Sequence, residues 1–402
     1  MREQTVLISG AGIAGPALAY WLHRYGFAVT VVEKAPGLRP GGQAVDFKGR
    51  THLTVVERMG VLDEIRRRET GRTDVIYVDD QGRERARLTG EFLGGAVEIL
   101  RGDLSEVLYE PTAEDCEYIF GDSIAALHET ASGVRVEFRH APARTFDLVV
   151  GCDGIHSAVR RLAFGPEREL VEHLGYYYCV AGAAGRDADP ARRERNTERG
   201  WHAPGRLAVD GGSKAAQFYV FAAPALAYDR SDIPAQRRIV TERFAQMGGG
   251  VPAMLAELEQ LPDVYLDSIS RSRMNGRYTS GRMALVGDSA YGNTLAGFGT
   301  GLAVVGAYVL AGELALADGD HRVAYARYNE IMRRYAKTAG KATAGPFLAP
   351  KTALGVRLRN WFLRSRAFDL MVKFGDDAAN DIDLKDYPRL IDGRIRGITA
   401  AG

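Results

Sequence analysis

The sequence has 402 residues, too many for one small hydrophobic core, so its length predicts two closely packed domains. Hydrophobic residues make up 46% of it and charged residues 26%, as in ordinary globular proteins, which excludes a disordered or fibrous chain. The formal net charge of +1 argues against nucleic acid as a partner.

The first elements in chain order predict a βαβ unit. Residues 5–9 form a short apolar run that ends in glycine, which is typical of a buried parallel strand. Residues 16–24 have helical spacing, and residues 28–33 form a second buried strand. Such a unit is expected to have a right-handed crossover.

The remaining chain predicts an α/β protein. Apolar spacing and turn residues predict a helix over 51–68, a hairpin over 74–88 with its turn at 79–82, and a helix over 101–108. Strands are predicted over 124–128, 134–139 and 146–151, an antiparallel sheet over 174–222, a buried strand over 283–287 and an apolar helix over 301–317. Beyond residue 320 the pattern is helical, with a break around 345–355.

The turn after the first strand carries the spacing of a dinucleotide-binding loop. Gly10 permits the tight turn, Gly12 lets the backbone approach a pyrophosphate, and Gly15 lets the helix pack closely on the strand. The helix N-terminus presents free N–H groups to the phosphates. Glu33, at the end of the second strand, is placed to accept hydrogen bonds from a ribose, which disfavours a 2′-phosphate.

Two further motifs follow in order along the chain. A strand leads into Asp-Gly-x-x-Ser-x-x-Arg at 153–160. Another strand leads into Gly-Asp at 287–288, followed by Gly-Phe-Gly-Thr-Gly at 297–301. Any one motif can be a structural turn, but all three in this order indicate one dinucleotide site.

The three motifs together resemble the group A flavoprotein monooxygenases, the family of para-hydroxybenzoate hydroxylase, tetracycline-inactivating monooxygenases and actinobacterial polyketide hydroxylases. The resemblance runs through nearly the whole chain and implies a Rossmann-like FAD-binding domain with an inserted antiparallel-sheet substrate domain and C-terminal helices. The implied boundaries are 1–72, 96–164 and 277–345 for the FAD-binding domain, 73–95 and 165–276 for the substrate domain, and 346–402 for the helical segment.

The resemblance implies a tightly bound FAD. Arg101 matches a residue that reaches the flavin phosphate and ribityl region, Asp288 one that binds a ribityl hydroxyl, and Asp153 one linked to both FAD and pyridine nucleotide binding. Residues 41–46 match a segment beside the isoalloxazine, and the N–H groups of 299–301 can stabilise reduced flavin. The full predicted cofactor set is Gly10, Gly12, Ile13, Ala14, Gly15, Glu33, Lys34, Arg39, Gly42, Arg101, Asp153, Asp288, Gly299, Thr300 and Gly301.

The reaction implied by the resemblance is reduction of FAD by NAD(P)H, formation of a flavin C4a-hydroperoxide with O2, and hydroxylation of an aromatic or polyketide-like small molecule. The resemblance implies that NAD(P)H is a transient co-substrate without a nucleotide-binding fold of its own. The sequence agrees, because it has no second Gly-x-Gly-x-x-Gly after a strand, which argues against the reductases that bind two dinucleotides. A phenolic substrate supplies its own electron density, so no catalytic base is assigned.

The sequence departs from the family pattern in one loop. Tyr291 stands where relatives carry histidine, the loop 291–295 is one residue shorter, and Gly301 replaces an asparagine. These departures keep open a non-redox cyclase of natural-product biosynthesis that retains FAD. A binding protein for a planar ligand is a third alternative.

The substrate pocket is expected between the flavin and the second-domain sheet. Alternation places Gln217, Tyr219 and Phe221 on one strand face, and Tyr176 and Tyr178 on another, and each face can be pocket wall or core. These five residues are the substrate-binding candidates. The basic amphipathic segment 354–364 either touches a membrane surface or packs on its own protein.

The remaining expectations concern cofactors of other kinds and cellular setting. Three cysteines and eight scattered histidines without metal-ligand spacing predict reduced thiols, no metal site and a cytoplasmic protein. No apolar run approaches the length of a bilayer span, and the N-terminus leads directly into a strand, so neither a span nor a signal peptide is expected. The chain is expected to be a monomer or a dimer.

Overall fold

The computed structural model describes residues 4–71, 73–90, 97–182, 197–211, 216–339, 343–368 and 383–392. The strands are β1 (Thr5–Ser9), β2 (Ala28–Glu33), β3 (Ala44–Phe47), β4 (Asp74–Val78), β5 (Glu84–Leu88), β6 (Val97–Leu100), β7 (Glu117–Phe120), β8 (Ile124–Glu129), β9 (Val134–Phe138), β10 (Arg144–Phe146), β11 (Leu148–Gly151), β12 (Val171–Ala181), β13 (Thr197–Ala203), β14 (Arg206–Asp210), β15 (Gln217–Ala222), β16 (Val264–Ser272), β17 (Thr279–Ser280) and β18 (Met283–Leu285). The helices are α1 (Ala14–Arg24), α2 (Gly49–Arg58), α3 (Leu62–Arg67), α4 (Arg101–Tyr109), α5 (Ala158–Ala163), α6 (Glu167–Leu170), α7 (Ile233–Phe244), α8 (Val251–Leu258), α9 (Asp288–Tyr291), α10 (Gly299–Leu316), α11 (His321–Ala339), α12 (Ala344–Leu348) and α13 (Ala353–Leu363).

The predicted βαβ unit forms the centre of a six-stranded sheet with the order β17-β18-β11-β1-β2-β7. Strand β1 pairs in parallel with both β2 and β11, and β17 is the antiparallel edge. The apolar runs of these strands are buried on both faces, in one core that includes the helices α1 and α10 and the three-stranded sheet β10-β9-β8. The α/β fold expected from the sequence is confirmed.

Helix α10 packs against α1 in the core of this layer. By length and composition it is the one helix of the described residues that could cross a membrane, yet 78% of it is buried inside the protein. The expectation that no apolar segment approaches that length is therefore corrected. The helix is apolar on all sides because protein surrounds it.

Two predicted elements are each divided in the structure. The helix predicted over 51–68 ends after α2 and resumes as α3, because Gly60 adopts a φ of +76° that a helix does not allow. The strand predicted over 146–151 is interrupted at Asp147. Its carboxylate instead accepts hydrogen bonds from the backbone N–H and the hydroxyl of Thr5, at 2.8 and 2.9 Å.

A seven-stranded sheet with the order β16-β12-β15-β14-β13-β4-β5 forms the second layer. It is antiparallel except where β13 pairs in parallel with β4. One face is covered by α7 and α8, and the other meets α12 and α13. Its strands come from 74–88 and 171–272, while the six-stranded sheet uses 5–33, 117–120, 148–151 and 279–285. The exact domain boundaries stay a prediction.

Candidate cofactor and substrate site

A cleft of about 2140 Å³ lies between the carboxyl ends of the parallel strands and the seven-stranded sheet. The three sequence motifs, the segment 37–46 and the loop 293–300 all contribute to its wall. Every residue of the predicted cofactor set lines this cleft except Gly15 and Gly301. The fold therefore brings together residues that are up to about 290 positions apart in the sequence.

Of the three glycines in the turn, only Gly12 has open space where a side chain would be. Gly10 has a φ of +105°, and a Cβ there would lie 2.6 Å from the carbonyl oxygen of Cys152. A Cβ at Gly15 would overlap the carbonyl oxygen of Gly10. A Cβ at Gly12 would instead project into the cleft, where its nearest neighbour is Arg101 Nη2 at 4.0 Å. Gly15 thus serves helix packing, while Gly12 keeps room for a ligand beside the backbone.

The N-termini of two helices face the cleft without side-chain caps. Helix α1 begins after Ile13 and α10 after Phe298, and neither helix has a side-chain cap or an acidic residue in its first turn. The first N–H groups of a helix have no partner inside the helix, and the aligned peptide dipoles make this end positive. Both ends can therefore donate to a ligand with negative charge, as phosphate groups and reduced flavin carry.

Arg101 extends from the N-terminus of α4 into the cleft. Its backbone is fixed against the glycine-rich loop, since its N–H donates to Gln43 O at 3.1 Å and Gly102 N–H donates to Gly41 O at 2.6 Å. Gly42, with a φ of +89°, permits this close approach. The guanidinium lies above the glycine turn, 4.0 Å from the position of a Cβ at Gly12, and a guanidinium can donate two parallel hydrogen bonds to a phosphate.

Glu33 lines the cleft but also closes the glycine turn. Its carboxylate accepts hydrogen bonds from the N–H groups of Ala11 and Ala35, both at 2.8 Å. Lys34 and Arg39 are exposed residues of the cleft wall. Their predicted contacts with FAD stay predictions.

Asp288 stands at the N-terminus of the short helix α9 and opens into the cleft. The surrounding protein raises the pKa of its carboxyl, and the nearby Arg101 and Arg160 partly offset this rise. Gly287, with a φ of +73°, turns the chain so that the carboxylate faces the first turn of α10. Hydroxyl donors from a ribityl chain would satisfy such a carboxylate.

The Asp153 carboxylate makes more hydrogen bonds within the protein than the sequence indicated. Its carboxylate accepts hydrogen bonds from the hydroxyls of Ser9 and Ser157 and from the N–H groups at the start of α5. The residue lines the cleft, but its oxygens cap a helix and tie it to β1. These hydrogen bonds position the loop 153–156, and the predicted role of Asp153 in binding FAD and pyridine nucleotide stays a prediction.

The departures from the family pattern have a packing explanation. A Cβ at Gly301 would overlap the imidazole of His52, which is 1% exposed and lies 2.5 Å from the hydroxyl of Tyr335. Tyr291 is likewise buried, against Gly306 on α10, which has no side chain to obstruct the Tyr291 hydroxyl. Gly301 thus leaves room for the His52 ring, Tyr291 fills the space beside Gly306, and neither residue lines the cleft.

His52 is held neutral by its surroundings. Burial lowers its pKa from 6.5 to about 4, with a smaller contribution from Lys48. Its Nδ1 accepts a hydrogen bond from the N–H of Lys48 at 3.2 Å. His52 was missed at the sequence level, because only the fold brings α2 against the first turn of α10.

The substrate-binding candidates divide between the two faces of the sheet. Tyr178 lines the cleft, whereas Tyr176 is buried beneath α12, where its ring contacts Gly345. The predictions for the other three, Gln217, Tyr219 and Phe221, are wrong, because these side chains face away from the cleft and pack under α7 and α8.

The contacts of these three residues explain their placement. The Gln217 amide donates to Met254 O on α8 at 2.8 Å, and the Tyr219 hydroxyl donates to the Gln217 amide oxygen at 2.7 Å. Phe221 stacks on Tyr177. The alternate residue on the same strand, Phe218, lines the cleft instead.

A hydrogen-bonded cluster in the cleft wall was not singled out from the sequence. His156 bridges Glu167 at 2.9 Å and Asp267 at 3.0 Å, and Tyr265 donates to Asp267 at 2.8 Å. Burial alone would lower the pKa of His156, but the hydrogen bonds to Asp267 and Glu167 outweigh it and raise that pKa. The only local signal was the histidine within the motif at 153–160.

Comparison with known proteins agrees with this geometry. The family described as FAD binding domain matches residues 3–339. An uncharacterized protein of Mycobacterium tuberculosis is 40% identical over 81% of this chain and 89% of its own length. A flavin-dependent monooxygenase of Legionella longbeachae is 35% identical, covering 82% of this chain and 85% of the relative. The crystal structure of tetracycline destructase Tet(51) superposes with a TM-score of 0.78 at 30% identity, covering 96% of this chain and 99% of that one.

Proposed function

Because this chain belongs to the FAD-dependent monooxygenases of group A, we propose that it uses NAD(P)H and O2 to hydroxylate an aromatic, polyketide-like small molecule. FAD, when bound, supplies the redox chemistry, accepting hydride from NAD(P)H and activating O2 for transfer of one oxygen atom. The protein's own residues bind the cofactor, orient the substrate and exclude water.

The observation that carries the proposal is the arrangement of two uncapped helix N-termini along one cleft. The turn before α1, with Gly12 open and Arg101 above it, fits a pyrophosphate. The start of α10 fits the negative charge of a reduced ring system, and Asp288 between them fits a hydroxylated linker. A phosphate, a polyol and an electron-accepting ring in this order are the parts of FAD.

The substrate would bind beyond α10, where the cleft wall becomes apolar. This part of the wall is formed by the seven-stranded sheet together with α12 and α13 and includes Tyr178, Val180, Phe218, Phe347 and Phe362. Flat aromatic faces favour a planar, fused-ring ligand. The name of the structural relative Tet(51), a tetracycline destructase, supports the same class of substrate.

The experiment is oxygen transfer under isotopically labelled O2. Flavin-loaded protein is mixed with NADPH or NADH and with tetracycline or a panel of phenolic polyketides, and products are analysed by mass spectrometry. The proposal predicts a product that carries one labelled oxygen atom and requires NAD(P)H. Product formed without NAD(P)H consumption would instead favour the cyclase alternative.

A matched pair of variants locates the substrate. Phe218→Leu changes the cleft wall, whereas Phe221→Leu makes the same change on the opposite face of the same strand. We expect Phe218→Leu to raise KM about three- to tenfold through loss of aromatic contact, and Phe221→Leu to leave KM unchanged. The reverse result would place the substrate elsewhere.

A further inference from the structure

The outer surface of α13 carries an apolar stripe that nothing in the described residues covers. Leu354 is 65% exposed, Leu358 57% and Trp361 70%. These positions follow one another at helical spacings of four and three residues, so they form one continuous face. They account for three of the six exposed large apolar side chains in the described residues.

The opposite face of the same helix is firmly attached to the protein. Val356, Arg359 and Leu363 are buried. The Arg359 guanidinium lies 4.2 Å from the centre of the Tyr77 ring, and its Nη1 donates to Leu348 O at 2.7 Å. The exposed stripe is therefore a fixed feature of the surface, because the inner face fixes the orientation of the helix.

The segment that carries the stripe is positively charged. Residues 351–366 contain five basic and no acidic side chains, and Lys351, Arg357, Arg364 and Arg366 are exposed. Among the described residues, no carboxylate forms an ion pair with Arg357 or Arg364. Since the whole chain has a net charge of only +1, this excess is local.

A shallow basin of about 460 Å³ lies beside Trp361. Its wall consists of Trp361, Arg85, Arg357, Asn360, Arg364 and Ser365. Guanidinium, amide and hydroxyl groups are donors for a phosphate, and an indole at the edge of an apolar stripe is typical of the bilayer interface. The basin therefore places hydrogen-bond donors that can bind a lipid headgroup phosphate next to the apolar stripe.

We propose that α13 docks on an anionic membrane surface, with Leu354, Leu358 and Trp361 in the interfacial layer and the surrounding basic side chains on lipid phosphates. A second copy of the chain fits this face less well. A two-fold contact would bring Arg357 and Arg364 of both copies together without an acidic residue on the helix to pair with them.

Docking would bring the cleft wall to the lipid. Phe362 on α13 and Phe347 and Leu348 on α12 line the cleft. An apolar substrate, if the proposed function holds, would then enter from the bilayer. Binding to lipid itself does not depend on that function.

The test uses the flavin-loaded full chain and vesicle flotation, comparing phosphatidylcholine vesicles with vesicles that also contain phosphatidylglycerol. We expect association with the anionic vesicles, weakened by salt, and little with phosphatidylcholine alone. Tryptophan emission gives a second readout. Trp21 is fully buried and Trp201 is 9% exposed, so a blue shift on binding would come from Trp361.

Two variants and one control complete the experiment. Leu358→Ser with Trp361→Ser removes two of the three apolar side chains of the stripe. Arg357→Gln with Arg364→Gln removes two positive charges, and Val323→Ser changes an apolar side chain elsewhere that is 41% exposed. Each double variant should lower the partition coefficient about tenfold or more, and the control should not. Failure to float with anionic vesicles, or flotation unaffected by both double variants, would overturn the proposal. Self-association without lipid that is lost in the Trp361 variant would assign the face to a second copy.

Discussion

Substitution of Gly12 by alanine separates cofactor binding from folding. The φ of Gly12 lies outside the left-handed region, and the nearest atom to an added Cβ is Arg101 Nη2 at 4.0 Å. The methyl group therefore meets no protein atom, and the free energy of unfolding should stay within about 1 kcal/mol of the wild-type value. In the cleft, however, the methyl carbon extends about 1.5 Å beyond the backbone. It would occupy the space in which a phosphate oxygen accepts hydrogen bonds from the backbone N–H groups.

The expected loss of FAD affinity follows from that geometry. A phosphate oxygen lies about 2.9 Å from a donating nitrogen but must stay about 3.5 Å or more from a methyl carbon. Loss of one charge-assisted hydrogen bond costs about 1.5–3 kcal/mol, which is about ten- to hundredfold in Kd.

The assay combines chemical unfolding of the flavin-free protein with titration of FAD by flavin fluorescence. Gly10→Ala is the contrasting variant, because its φ of +105° and the Cys152 carbonyl oxygen 2.6 Å from the added Cβ make it destabilising by about 2 kcal/mol or more. If Gly12→Ala binds FAD as tightly as the wild type, the assignment of this turn to the pyrophosphate is refuted.

Three further predictions concern the core beside α10 and the cleft wall. Gly301→Ala should lower the free energy of unfolding by about 1–3 kcal/mol, because its Cβ would overlap the His52 ring, and the added change His52→Ala should recover part of that loss in urea unfolding. Since the folded protein keeps the pKa of His52 near 4 against 6.5 when unfolded, protonation favours the unfolded chain, and stability should fall as pH drops below 6.5, by about 2 kcal/mol at pH 5. Unfolding of His52→Gln measured over the same pH range should lack that component, and an equal pH dependence in both proteins would argue against a buried neutral His52. Asp267→Asn should lower the pKa of His156, observed by NMR titration of its ring, because it removes the hydrogen-bonded carboxylate that raises this pKa.

Local features of the chain were predicted because short-range rules govern them. Steric contacts within the turn itself require glycine at Gly10 and Gly15, and Gly12 leaves open space beside the backbone. Strands β1 and β2 and helix α1 follow from apolar spacing within a few residues. Most of the residues predicted to bind the cofactor line one cleft, because the three motifs follow parallel strands whose carboxyl ends meet at one edge of the sheet.

Features that depend on how helices pack against a sheet or against each other were not predictable. Alternation along β15 gives two faces but does not say that α7 and α8 cover Tyr219 and Phe221 while Phe218 faces the cleft. The contact of His52 with Gly301 likewise joins positions about 250 residues apart. Each required knowledge of long-range packing, which the sequence pattern does not contain.

Anaerobic reduction of the bound flavin tests whether the protein is an NAD(P)H-dependent monooxygenase. Flavin-loaded protein is mixed with NADPH or NADH in a stopped-flow instrument, with and without tetracycline or other phenolic polyketides, and the visible absorption band of oxidised flavin is followed. We expect at least one nucleotide to bleach this band, and a ligand of the substrate class to accelerate the bleaching. Bound flavin that neither nucleotide reduces under any of these conditions would contradict this expectation.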